Sequence, residues 1–68
     1  MVKAIGFTKV TSPGNVIVEL FADEKTDVVP GMTIQDLPDN YMIVMGSSVM
    51  TAAGEIAFMK SDGTWNWV

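Results

Sequence analysis

The chain has 68 residues, a net charge of −4, no cysteine and no histidine. A monomer this short buries only about 60% of the surface its unfolded chain exposes; with disulfides and a Cys/His zinc site excluded, a partner subunit is the reinforcement that remains. Four lysines against eight carboxylates, with no arginine, argue against nucleic acid as a ligand, and an apolar fraction of 49% argues against disorder.

Apolar residues alternate along the chain, which is the period of strands. The first alternating run is Lys3 to Val10, closed by TSPGN, where Pro13 and Gly14 suit the two central positions of a turn. Asn15 to Ala22 predicts a second strand, with Val16, Val18 and Leu20 on one face and Ile17 and Phe21 on the other around Glu19. Such a strand has apolar side chains to offer on both sides. DEKTD is a solvated loop, VVPGM repeats the proline-glycine signal, and a short strand is expected from Met32 to Asp36. LPDN is a third turn, and Tyr41 to Met45 a strand that stops at Gly46.

In the last third, Ser47–Thr51, Glu55–Lys60 and TWNWV read as three strands joined by AAG and SDG, two loops that each end in glycine. A glycine there supplies the left-handed residue of a three-residue hairpin. The result is an antiparallel meander with Ile56 and Phe58 on one face. No segment has a helical period. The expected fold is all-β: a small antiparallel barrel or sandwich of six to seven short strands in a single domain over residues 1–68, ending in a C-terminal β-meander.

Reactive groups are scarce. Without histidine or cysteine, the commonest general base and the thiol nucleophile are missing. Asp36 with Asp39, and Asp23 with Asp27, are local carboxylate pairs, but each lies in a polar connection and reads as solvated surface. Ser47 and Ser48 follow Gly46, yet no glycine follows them and the chain continues as a strand, so this is no nucleophile elbow. DEKTD lacks the glycine and distant glutamate of a calcium loop. No catalytic residue, cofactor site or metal site is expected.

The opening MVKAIGFTKV turns polar too soon for a secretory signal, and no apolar run approaches the roughly 18 residues of a membrane span. Synthesis in a cytoplasm, with no membrane partner, is therefore expected. Six methionines and two tryptophans spaced i, i+2 near the end offer more apolar surface than so small a core can hide. Two such side chains in a strand share a face, and they stay ordered only if that strand is tied into the sheet. Met50, Phe58, Met59, Trp65 and Trp67 are the expected interface residues, with Phe7 and Phe21 assigned to the core.

The stretch MGSSVMTAAGEIAFMKSDGTWNWV, residues 45–68, resembles the end of small virion proteins encoded among the head and tail genes of tailed phages and prophages of gut Firmicutes. Their pattern runs from a Gly-Ser start through a strand, a turn and a strand bearing an aromatic or methionine, to an acidic-Gly turn and a terminal tryptophan strand. Gly46, Ser47, Phe58, Met59, Asp62, Gly63 and Trp65 stand at the matching positions. The long repetitive region of a fibre shaft is missing, which favours a compact surface component.

The resemblance implies a capsid decoration protein on the virion surface. It would bind the major capsid protein or another virion protein as a homo-trimer or other symmetric oligomer. The rival readings are a tail-associated or fibre-base protein, a carbohydrate-binding module using Trp65 and Trp67 as a platform, and an acidic mimic of nucleic acid.

Overall fold

A computed structural model of the chain describes residues 1–12, 14–37 and 41–68; for residues 7–12 it describes the backbone alone. The expected turn residues Pro13, Pro38, Asp39 and Asn40, and the side chain of Phe7, lie outside the described residues. Among the described residues seven strands form: β1 (Val2–Ser12), β2 (Asn15–Ala22), β3 (Ile34–Gln35), β4 (Met42–Ile43), β5 (Ser48–Thr51), β6 (Ile56–Met59) and β7 (Trp65–Trp67). One 3₁₀ turn, Lys25–Asp27, interrupts the connection after β2 within DEKTD. There the Asp27 carboxylate accepts a hydrogen bond from the Glu24 N–H at 3.2 Å, and the Asp27 N–H donates to the Glu24 carbonyl at 3.0 Å.

The fold is all-β, a single mixed sheet that is not closed into a barrel. Strands lie in the order β3-β1-β2-β5-β6-β7, with β4 also on β2. The antiparallel expectation holds for the hairpin β1–β2 and for the meander β5–β6–β7. It fails at the joints, where β3 runs parallel to β1, and β4 and β5 both run parallel to β2. The reason is the connection over residues 23–41. Its described part leaves the end of β2 and crosses one face of the sheet to the outer edge of β1, and β4 then begins beside the start of β2, so it runs in the same direction as β2.

That crossing also builds the core. Val2, Ala4, Val16, Val18, Leu20, Ala22, Val49 and Ala57 are buried on one face, and Val28, Met32, Ile34, Leu37, Tyr41 and Ile43 from the crossing and β4 pack against them, with Trp65 and Trp67 from β7. Each fully buried Val or Leu contributes about 1.5–3 kcal/mol by leaving water. β2 reads as expected, since Val16, Val18, Leu20 and Ala22 point into this core and Ile17 and Phe21 to the other side.

β4 and β5 share one edge of β2. Asn15 and Val16 pair with Met42 and Ile43, and pairing resumes at Glu19 with Ser48, so two residues of β2 face the four residues that join β4 to β5. The surplus is taken up by a turn in which the Ser47 N–H donates to the Val44 carbonyl at 3.2 Å and Gly46 adopts φ +104°. A Cβ on Gly46 would stand 3.3 Å from Ile17 Cδ1 and in a conformation L side chains rarely adopt. Ser47 is fully buried, and its hydroxyl oxygen accepts a hydrogen bond at 3.1 Å from the Val18 N–H, which the interrupted ladder leaves without a strand partner. Its carbonyl accepts from the Met59 N–H of β6 at 2.9 Å. The Gly-Ser pair is therefore a structural joint.

The two hairpin loops are built alike. In residues 52–54 and 61–63, Gly54 (φ +88°) and Gly63 (φ +85°) take the left-handed position, and Thr51 and Lys60 pair with Glu55 and Thr64 across the loop mouth. The Thr51 hydroxyl donates to Glu55 Oε1 at 3.2 Å, and Asp62 Oδ1 accepts from the hydroxyl and the N–H of Thr64 at 2.6 and 3.0 Å. Those two bonds hold the Asp62 carboxyl below its ordinary range.

Candidate functional site

The five expected interface residues divide between the two faces of the sheet. Met59 is buried at 9% exposure, and Trp65 and Trp67 are half-buried against the core. Lys25 Nζ sits 4.9 Å from the centre of a Trp67 ring, which covers the ring further. The tryptophans thus answer for the order of the last strand, because two large rings at i and i+2 anchor β7 onto the core face. Met50 and Phe58 point the other way and are 43% and 50% exposed.

Register explains the division. Trp65 pairs with Met59 and Trp67 with Ala57, while Phe58 pairs with Asn66 and Ser48, and Met50 with Ile56 and Phe21. Directly paired residues share a face. The open face therefore carries two rows. One is Lys3, Phe21, Met50 and Ile56; the other is Gly6, Glu19, Ser48 and Phe58. Phe21, assigned to the core from the sequence, is half-buried in the first row.

Ile5 joins them from a bulge. β1 has three register shifts against β2, between Ala4 and Gly6, Phe7 and Lys9, and Val10 and Ser12. The first leaves Ile5 unpaired and 54% exposed beside Glu19, Met50, Ile56 and Phe58, around a hollow of about 260 Å³. Ile5 follows the alternation that buries Val2 and Ala4 and turns Lys3 outward, and it was missed as a contact residue because only the sheet order brings Met50, Ile56 and Phe58 beside it. Ile5, Met50, Ile56 and Phe58 together expose an apolar patch on the order of 350 Å², the size of the largest patch on a typical monomer, which is often a functional surface.

A larger cleft of about 360 Å³ lies on the core side between residues 29–34 and Trp65, with Leu37, Tyr41 and Met59 in its wall. Among the described residues, no buried side-chain polar atom lacks a hydrogen bond, so no unpaired group points into it. The acidic groups are also engaged locally. Asp23 and Asp27 converge on the Met1 ammonium at 3.2 and 2.7 Å, which holds the Asp27 carboxyl below its ordinary range and raises the ammonium above its own. Among the described residues, no three side chains of the metal-binding types gather into a cluster.

No protein-family model matches the chain, and neither a curated protein nor a solved structure does.

Proposed function

We propose that this chain is a virion structural protein without catalytic activity, a capsid decoration protein that adds to a phage capsid as a symmetric oligomer. The observation that carries the reading is the apolar face around Met50 and Phe58, which the fold leaves open although the same strands bury their other face completely. A free monomer gains nothing from such a face, and an assembly component gains from covering it. The resemblance of residues 45–68 to small virion proteins supplies the kind of assembly. In this reading decoration stabilises the head by burying apolar strand surface between copies and against the shell, adding contacts that resist the pressure of the packaged genome.

Quantitative peptide mass spectrometry of gradient-purified particles, scaled to the major coat protein, tests the reading. About one copy per coat subunit is the expected result. A few copies per hundred would move the protein to the tail or a fibre base, and absence from the particle would overturn a virion role.

A further inference from the structure

We propose that the open face is a homodimer contact, in which a second copy packs face to face about a two-fold axis running across the strands between the two rows. The inference rests on the assembly reading above and names the occupant of the face.

The two rows are complementary under that operation, because it lays each strand over its own counterpart and the first row of one copy over the second row of the other. Met50 then stands over the small Ser48 of the second copy, and Ile56 over its Phe58, with each contact made twice. Both bulky-on-small and aliphatic-on-aromatic pairs interdigitate well between sheets, which pack about 10 Å apart at a shallow angle.

Charge fits the same operation. Gly6 has no side chain, and the Glu19 carboxylate leans across it, with Oε2 3.4 Å from where a Cβ would stand. The axis puts Lys3 of one copy over Gly6 of the other, and so over that carboxylate. Lys3 keeps its donors for this contact, since its neighbour Asp36 stands 3.7 Å away in an exposed ion pair, beyond hydrogen-bond distance. The two rows thus carry one lysine and one glutamate on a chain of net charge −4, and the other described carboxylates sit in connections and hairpin loops. Two acidic chains can meet here without stacking like charges.

The area suits a reversible dimer. Doubling the apolar patch and adding its polar rim removes on the order of 1,000 Å² from water, the lower bound of a specific interface.

The test is sedimentation equilibrium of the full chain from about 1 to 500 μM, with far-UV circular dichroism on every variant. The expected result is a monomer–dimer equilibrium that Phe58→Glu weakens at least tenfold while the strand spectrum is retained. Should Phe58→Glu fail to fold, Ile5→Ser gives the same reading from an exposed bulge.

The second arm uses charge. Lys3→Glu and Glu19→Lys should each weaken self-association, and an equimolar mixture of the two should form heterodimers. A wild-type chain that stays monomeric at 500 μM, or forms trimers, overturns the proposal, as does a dimer indifferent to Phe58→Glu or a mixture that does not associate. Particle copy number is read separately, so a monomer found at one copy per coat subunit would overturn the dimer and leave the decoration reading standing.

Discussion

On its core face the sheet buries Val and Ala side chains and Leu20 under the crossing segment, with Met59, Trp65 and Trp67 closing the β6–β7 end. On the opposite face the same strands present Ile5, Met50, Ile56 and Phe58, which are exposed, and the half-buried Phe21. The described part of the long connection between β2 and β4 packs on one side alone. The comparison teaches that apolar alternation on two faces of a strand counts available surface, while topology decides which side is closed within one chain.

The sharpest way to break the core face is Leu20→Ala. Leu20 is the largest fully buried side chain among the described residues, and its loss should cost about 2–5 kcal/mol. In a domain this small that removes much of the total stability. Urea unfolding should show the midpoint collapse, and a shift no larger than that of an exposed site would mean that the core is elsewhere.

Next is the joint between β4 and β5. Gly46→Ala forces a side chain into φ +104° against Ile17, at a cost of about 1–3 kcal/mol. Ser47→Ala leaves the Val18 N–H buried without an acceptor, also about 1–3 kcal/mol. Hydrogen exchange at Val18 should accelerate in Ser47→Ala more than exchange at Ala57 does; equal acceleration would show that the hydroxyl is not a local stitch.

The open face should behave oppositely. Met50→Ser should change the unfolding free energy of the dilute monomer by less than about 1 kcal/mol, because Met50 is already in contact with water. A loss comparable to that of Leu20→Ala would mean that the face is covered within the chain and would end the contrast between the two sides.

The smallest effect is on pH. Asp27 and Asp62 are held below their ordinary values, Asp27 chiefly by the Met1 ammonium and Asp62 chiefly by Thr64. Each stabilises the fold above the unfolded-state value and ceases to as pH falls through the folded one, so stability should decline below about pH 4. The ammonium is raised by Asp27 and then Asp23, so its contribution is complete below about pH 8 and fades at higher pH. These groups are exposed and the slopes should be shallow. Thermal melts in low salt from pH 2 to 10 would expose the trend, and Asp62→Asn should flatten part of its acid limb.

Much of this arrangement was legible beforehand. β2 has the bounds expected from Asn15 and Ala22, and both glycine-closed loops of the meander form where AAG and SDG place them. The two faces of β2 were readable from Val16, Val18 and Leu20 against Ile17 and Phe21. The parallel joints were not, because strand direction depends on where a connection travels, and nothing local in residues 23–41 encodes that path. The bulge at Ile5 was equally hidden, since it is a shift in pairing with β2 and leaves the alternation of Val2, Lys3, Ala4 and Ile5 undisturbed.

By itself the sequence determined that the chain is all-β, that it is poor in reactive groups, and that its last strands are joined by tight loops. These follow from period, composition and turn chemistry, which act over a few neighbouring residues. Only the tertiary structure decided that Met59, Trp65 and Trp67 close the core while Met50 and Phe58 stay open. Register gives each strand two possible sides, and only the long connection, by covering one of them, makes one side the interior.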